Sequence, residues 1–308
     1  MNKISSRRHF LKTSLGTGLA LAGLRLGHPS RTNAVEPIKR SGKARLALSM
    51  AAYSFRQYLT ERDPARRITL FDFIDYCADH GCVGTELTSY YFPENPSVDF
   101  LLQVRRHTFL RGLAISGTAV GNNFVLPKGD KLNQQIASVK QWVDRAAIMG
   151  APHIRVFAGT LAAGTSPSEA KASCIDALDE CAEYAGTKGI FLGLENHGGI
   201  VAEPDDLLAI VRAVKSPWLG INLDTGNFHT ANPYADLAAC APYAVNVQFK
   251  SEVTPRGKKK EPADLARLVQ ILHDADYQGY VALEYEAAED PYQAVPGILK
   301  SMKDLFAS

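Results

Sequence analysis

Gly189-Ile-Phe-Leu-Gly-Leu-Glu195, Trp218-Leu-Gly-Ile-Asn-Leu-Asp224, Ala244-Val-Asn-Val-Gln248 and Gly279-Tyr-Val-Ala-Leu-Glu284 are four short apolar runs, each closed by an acid or an amide. Each is rich enough in aliphatic, β-branched or aromatic residues to read as a buried parallel strand. In a closed barrel of parallel strands the C-terminal strand ends open into one mouth, where the chemistry of such barrels sits. Three carboxylates and an amide gathered there would repel one another unless a cation held them. The pattern therefore points to a divalent metal site.

Working outward, strand and helix periods alternate through the rest of the chain. Strands are predicted at 46–53, 82–87, 113–119 and 153–158, ahead of the four quoted runs. Helices are predicted at 69–80, 99–111, 132–149, 168–188, 203–214, 233–241, 263–274 and 292–305, several stopped by a glycine such as Gly81, Gly150 or Gly189. Strands alternating with helices argue for βα units and a parallel sheet. Eight units close a single (β/α)8 TIM barrel. A doubly wound open sheet would want a glycine-rich phosphate loop after its first strand, and Ser54-Phe-Arg-Gln57 is nothing of the kind.

The chain has 308 residues, 46% of them hydrophobic, which suffices for one large core. Its formal charge of +2 misleads. The first 34 residues hold six Lys or Arg and no acid, so the remainder carries 28 basic and 32 acidic residues, a net of −4. That body offers no electrostatic footprint for nucleic acid. The one basic run, Arg256-Gly-Lys-Lys-Lys260, reads as a solvated loop. The five cysteines show no CxxC pair, and Cys174 and Cys181 stand two helical turns apart, roughly 10 Å, too far for a disulfide. They read as small buried hydrophobes.

Ser6-Arg-Arg-His-Phe-Leu-Lys12, ahead of the apolar run 14–24, matches the twin-arginine export pattern. Residues 1–34 are thus expected to be a signal segment, 35–44 a linker and 45–308 the barrel. The expected location is periplasmic, or tethered to the outer side of the inner membrane, with the twin-arginine translocase as a transient partner. That route carries folded proteins and suits a metal loaded before export.

Taken singly, each strand-end residue has a bland reading. Glu195 could be a salt-bridge partner, Asp224 a turn cap, and Glu284 one of two acids with Glu286 at a strand terminus. Their recurrence at one height on consecutive strands favours a common task. The motifs Leu-Glu195-Asn-His, Asn-Leu-Asp224-Thr-Gly-Asn and Ala-Leu-Glu284 resemble those of the sugar phosphate isomerase/epimerase superfamily, the xylose isomerase-like barrels that include ketose 3-epimerases, inosose dehydratases and endonuclease IV. The resemblance covers roughly residues 46–305. In its ketose epimerase branch one divalent ion is held by Glu, Asp, His and Glu on strands five to eight. Carried over, the ligands fall on Glu195, Asp224, Gln248 and Glu284. Strand seven departs from the pattern, reading Val247-Gln-Phe-Lys250 where the family often has Val-His-Val-Lys. An oxygen-rich set favours Mn²⁺ or Mg²⁺ over Co²⁺ or Zn²⁺. Gln248 is equally a substrate hydrogen bonder with water as fourth ligand.

The resemblance implies chemistry through an enediolate, with Glu195 and Glu284 as base and acid. His197, Lys250, Arg155, Asn227 and Phe55 are candidate substrate-binding residues. For each the alternative is structural: a turn histidine, a surface salt bridge, or aromatic packing under loops. Arg155, inside strand four, is expected to find a carboxylate or ligand partner, since an unpaired buried charge is costly. The expected activity is isomerisation or epimerisation of an unphosphorylated keto-sugar. A lyase or dehydratase on the same scaffold and a non-catalytic sugar-binding barrel are the alternatives, and self-association into a homo-oligomer stays open.

Overall fold

The computed structural model describes residues 35–161 and 164–307. The expected export signal, 1–34, lies outside them. Within them the chain runs β1 (Arg45–Ala51), α1 (Arg56–Leu59), α2 (Leu70–Asp79), β2 (Gly84–Thr88), α3 (Val98–Leu110), β3 (Ala114–Ala119), α4 (Asp130–Met149), β4 (His153–Val156), α5 (Pro167–Gly186) and β5 (Phe191–Glu195). It continues through α6 (Pro204–Ala213), β6 (Leu219–Asp224), α7 (Pro233–Cys240), β7 (Ala244–Phe249), β8 (Glu252–Val253), β9 (Glu261–Pro262), α8 (Leu265–Asp274), β10 (Gln278–Leu283) and α9 (Pro291–Phe306). Eight strands close in the order β1-β10-β7-β6-β5-β4-β3-β2, all parallel, which is the expected (β/α)8 barrel.

Local sequence explains the helix ends. Thr69 caps α2 and Asp72 reaches back to the Thr69 amide, while Ser166 and Glu169 do the same for α5. Proline opens α5, α6, α7 and α9, where its missing N–H costs nothing. Gly150 ends α4 at φ +79°, a left-handed turn that glycine adopts without strain.

The strands alternate in character. On β6, Ile221 and Leu223 alternate with Asn222 and Asp224; on β7, Val247 and Phe249 alternate with Asn246 and Gln248. The apolar set packs toward the helices and the polar set faces the lumen. The lumen is consequently polar, where barrels of this kind usually stack branched aliphatics. His153 is wedged there. A Cβ on Gly193 would lie 2.4 Å from its Nε2, so only glycine leaves room for the ring. All five cysteines are free and buried, as expected.

Three features were not legible in the sequence. The segment expected to be a linker is docked under the barrel: Ile38 donates to the Pro242 carbonyl (2.9 Å), and Arg40 donates to the Ala244 carbonyl (2.5 Å) and lies over the Tyr277 ring. A one-turn helix, α1, follows β1. A small antiparallel ladder, β8–β9, holds the base of the basic loop, whose Arg256 pairs with Glu203 and whose Lys260 pairs with Glu252 at 3.2 Å.

Candidate active site

The barrel's C-terminal mouth gathers Arg155, Glu195, His197, Asp224, Asn227, Lys250, Glu284 and Glu286. Glu195 is the most firmly held of the acids. Its Oε1 meets His197 Nδ1 at 2.7 Å and accepts from Asn227 Nδ2 at 2.9 Å, and its Oε2 pairs with Arg155 Nε at 3.0 Å. Arg155 thereby has the carboxylate partner its burial demands. Burial works against the charged form of Glu195, but Arg155 and His197 outweigh it and hold the carboxyl below its ordinary value. The same hydrogen bond raises His197 above the ordinary histidine value. The imidazole also leans on Phe157, whose ring carries the Arg155 guanidinium 3.9 Å from its centroid.

The other side of the mouth is built around Lys250. Lys250 is 6% exposed, and its ammonium lies 3.3 Å from Asp224 Oδ2 and 3.4 Å from Glu284 Oε2 and also contacts Glu286. Burial opposes its charge, yet Asp224, Glu284 and Glu286 raise it well above the ordinary lysine range. One cation does not balance three acids. Burial, reinforced by Glu195 and Glu284, pushes Asp224 up to about 8 despite Lys250. Burial raises Glu284 too, with Glu195 and Glu286 adding to it. Asp224 Oδ2 and Glu284 Oε2 are buried without a hydrogen-bond partner.

Those two orphaned oxygens are a direct test of whether a divalent ion suits the site. Their chemistry fits, since buried carboxylate oxygens short of positive charge are what a hard cation takes. Glu195, Asp224 and Glu284, with the Gln248 carbonyl, are the groups that could hold one. Among the described residues, no three His, Cys, Asp or Glu side chains already surround a single point. The Lys250 ammonium stands among the carboxylates instead.

Gln248 is tied to the lumen floor as well. Its Oε1 accepts from Asn222 Nδ2 at 2.7 Å and its Nε2 donates to Glu86 Oε1 at 2.7 Å. A carbonyl oxygen has two lone pairs, so one remains for another partner. Phe55 does not join the mouth. It is fully buried on the helix side, packed on Phe73, Tyr76 and Tyr292, because the turn after β1 carries it outward. Sequence reasoning missed Asn196, which clamps β5 to β6 by donating to the Asp224 carbonyl (2.8 Å) and accepting from the Asp224 amide (2.9 Å). It also missed Glu86, Asn222 and Asn246. An acid inside the β2 run Gly84-Thr-Glu86-Leu-Thr88 was the available signal for the first of these.

A cleft of about 200 Å³ leads out from Lys250 past Asn227, His229, Lys260 and Glu286. A roomier groove of about 520 Å³ beside α2 is lined mainly by apolar residues such as Leu59, Ile68, Phe71, Phe92 and Phe100 and by no acid. Volume alone would favour that groove. The reactive groups place the site at the strand ends.

A solved D-psicose 3-epimerase, crystallised with D-fructose, superposes with a TM-score of 0.66 at 13% identity, covering 85% of this chain and 97% of that one. A 3-keto-D-glucoside 4-epimerase from E. coli superposes at 0.64 with 18% identity, covering 85% and 100%. At such identities the likeness is one of fold. A Xenopus laevis protein provisionally named a hydroxypyruvate isomerase is 25% identical over 177 residues, 53% of this chain. The chain spans 64% of the length of that curated relative. Residues 74–303 match the family model described as the xylose isomerase-like TIM barrel, and the chain belongs to that family.

Proposed function

We propose that this chain is an isomerase or epimerase that moves a proton next to the carbonyl of an unphosphorylated keto-sugar. The observation that carries the reading is the placing of two buried glutamates in one mouth with unlike partners. Glu195 is bonded by Arg155, His197 and Asn227, the first two holding its carboxyl below the ordinary value, while burial raises that of Glu284. Pairs of carboxyls driven apart in this way divide into a base and an acid.

Glu195 takes the proton from the carbon beside the carbonyl, and the C–H pair moves into an enediolate. The Lys250 ammonium and the Arg155 guanidinium sit near the developing oxyanion and stabilise it. Glu284 returns a proton from its own position, three strands round the barrel from β5. Return to the other face of the same carbon is epimerisation; return to the neighbouring carbon is isomerisation. The cycle leaves Glu195 protonated and Glu284 ionised, and exchange with solvent resets both. A divalent ion held by Glu195, Asp224, Glu284 and the Gln248 oxygen would supply Lewis-acid polarisation of the carbonyl, with Mn²⁺ or Mg²⁺ the best match to oxygen donors; with such an ion bound, Glu284 would carry its proton on an oxygen freed when substrate binds. His197 and Asn227 remain free at their outer edges to meet sugar hydroxyls. The names carried by the similar proteins, an isomerase and two epimerases, agree with this class. The twin-arginine motif supports delivery of the folded barrel across a membrane.

The test is solvent deuterium incorporation into unphosphorylated ketoses and 3-keto-sugars by the purified chain supplied with Mn²⁺. Incorporation at the carbon beside the carbonyl, lost in Glu195→Gln and Glu284→Gln, is expected. No incorporation across the panel, from a folded and metal-loaded protein, would sink the reading.

A further inference from the structure

Beneath the mouth, four buried side chains form a closed ring of hydrogen bonds. Gln248 Nε2 donates to Glu86 Oε1 (2.7 Å), and Asn246 Nδ2 donates to Glu86 Oε2 (2.7 Å). Asn246 Nδ2 also donates to Asn222 Oδ1 (2.9 Å), and Asn222 Nδ2 donates to Gln248 Oε1 (2.7 Å), which closes the circuit. None of the four residues is more than 2% exposed.

An amide can present either end to a neighbour, so three amides alone would let such a ring run in either direction. An ionised carboxylate cannot, because it only accepts. Burial raises Glu86 to about 7 while its bonds from Gln248 and Asn246 favour the charged form, so the direction is fixed above that pH. With both Glu86 oxygens accepting, Gln248 and Asn246 must each turn a nitrogen toward it. Asn246 then reaches the Asn222 oxygen, which leaves Asn222 offering its nitrogen to the Gln248 oxygen. Reversing Gln248 would set its oxygen against a Glu86 oxygen in a water-excluded lumen, where an unmade hydrogen bond is expensive.

We propose that Glu86 is a positioning residue that fixes the direction of this ring and so commits Gln248 to turning its carbonyl oxygen toward β6, the Asp224 side of the lumen, with its NH2 turned to Glu86. Gln248 is the register partner of Asp224 across β6 and β7, so its strand position lies in the layer that borders the acidic mouth. An oxygen so fixed takes a cation or the O–H of a sugar hydroxyl and rejects a bare carbonyl oxygen. The cation half of this statement rests on the metal reading above, whereas the direction of the ring does not.

Two measurements on the full chain keep them apart. The first is the side-chain amide signal of Gln248 in ¹⁵N-glutamine-labelled protein without metal at a pH above 7, where Glu86 is ionised, assigned by its loss in Gln248→Glu. In Glu86→Gln the hydrogen-bonded proton is expected to move upfield and to exchange faster, because the ring has lost its fixed direction. An unchanged Gln248 signal overturns the proposal. The second is Mn²⁺ titration: Glu86→Gln is expected to bind about 10- to 100-fold more weakly, as when an outer partner of a ligand is lost. If the unaltered chain binds no Mn²⁺, the cation reading falls and the amide signal still decides the direction.

Should Glu86→Gln fail to fold, the exchanged pair Glu86→Gln/Gln248→Glu keeps three amides and one carboxylate in the ring, all still bonded, with only the bond between positions 86 and 248 reversed. It is expected to melt well above Gln248→Glu alone, which sets two carboxylates against each other. Equal melting points for these two variants would overturn the proposal.

Discussion

The floor of the lumen and its mouth are made of similar side chains and solved in opposite ways. On the floor, the Glu86 carboxylate meets Asn246 and Gln248, and each of the four side chains is hydrogen-bonded to two others. In the mouth, Asp224 Oδ2 and Glu284 Oε2 are buried without a hydrogen bond and crowd one ammonium. A satisfied network specifies a geometry. An unsatisfied one stores a demand for charge, and that demand is what a substrate, a proton or a cation can answer. The contrast is why we propose the mouth as the reacting site and the floor as what orients it.

The sharpest way to break the contrast is to neutralise its acids. Glu195→Gln and Glu284→Gln are each expected to lower kcat by about 10²- to 10⁴-fold, the range for a positioned acid or base, in chains that remain folded. Steady-state kinetics with circular dichroism checks this, and near-normal turnover in either variant removes that residue from the proton path.

Next comes the lone cation of the crowded half. Lys250→Met leaves Asp224 and Glu284 buried without a counter-charge, and removing one partner of a buried ionic cluster costs about 3–5 kcal/mol. Urea denaturation of metal-free protein above pH 8, where Asp224 is ionised, is expected to show that loss, with Mn²⁺ recovering part of it. A cost near zero would mean that the acids are already protonated and the ammonium is not needed.

A smaller effect is expected on the well-partnered side. Asn227→Ala removes one of three groups holding Glu195, and a hydrogen bond to a charged group is worth roughly 1.5–3 kcal/mol. The expected loss is about tenfold to a hundredfold in kcat/KM, with the acidic limb of the pH profile moving upward as Glu195 becomes easier to protonate.

The smallest effect is a slope. Asp224 is raised from an ordinary value of 3.8 to about 8, so between those values the folded state keeps a proton that the unfolded chain has lost. Its contribution is present in full below the lower value and declines as pH rises toward 8, and Glu284 acts in the same direction. Glu195 acts oppositely, losing its contribution only as pH falls through its depressed value. Metal-free protein is therefore expected to lose stability from pH 5 to 8. That slope should flatten in Asp224→Asn; an equal slope there contradicts the assignment.

How much of this the chain declares in advance depends on the range of the interaction. Helix caps such as Thr69 and Asp72, glycine stops and the strand period act over a few residues, so the barrel order was readable from local pattern. The acidic strand ends were readable for a related reason: in a parallel barrel, equal positions on consecutive strands must meet. The floor ring was not, because Glu86 finds Asn246 and Gln248 160 and 162 residues away, and no spacing announces which lumen residues face one another. Phe55 shows the converse limit. Proximity to a strand end says nothing about whether a side chain turns into the lumen or, as here, into the helix layer.

The central claim is the division of labour between Glu195 and Glu284, and carboxyl ¹³C NMR titration of metal-free, ¹³C-glutamate-labelled protein reads it directly. Signals are assigned by loss in Glu195→Gln and Glu284→Gln. The account expects Glu195 to titrate below the ordinary glutamate value and Glu284 above it. Two glutamates titrating together in the ordinary range, or in the reverse order, would contradict it.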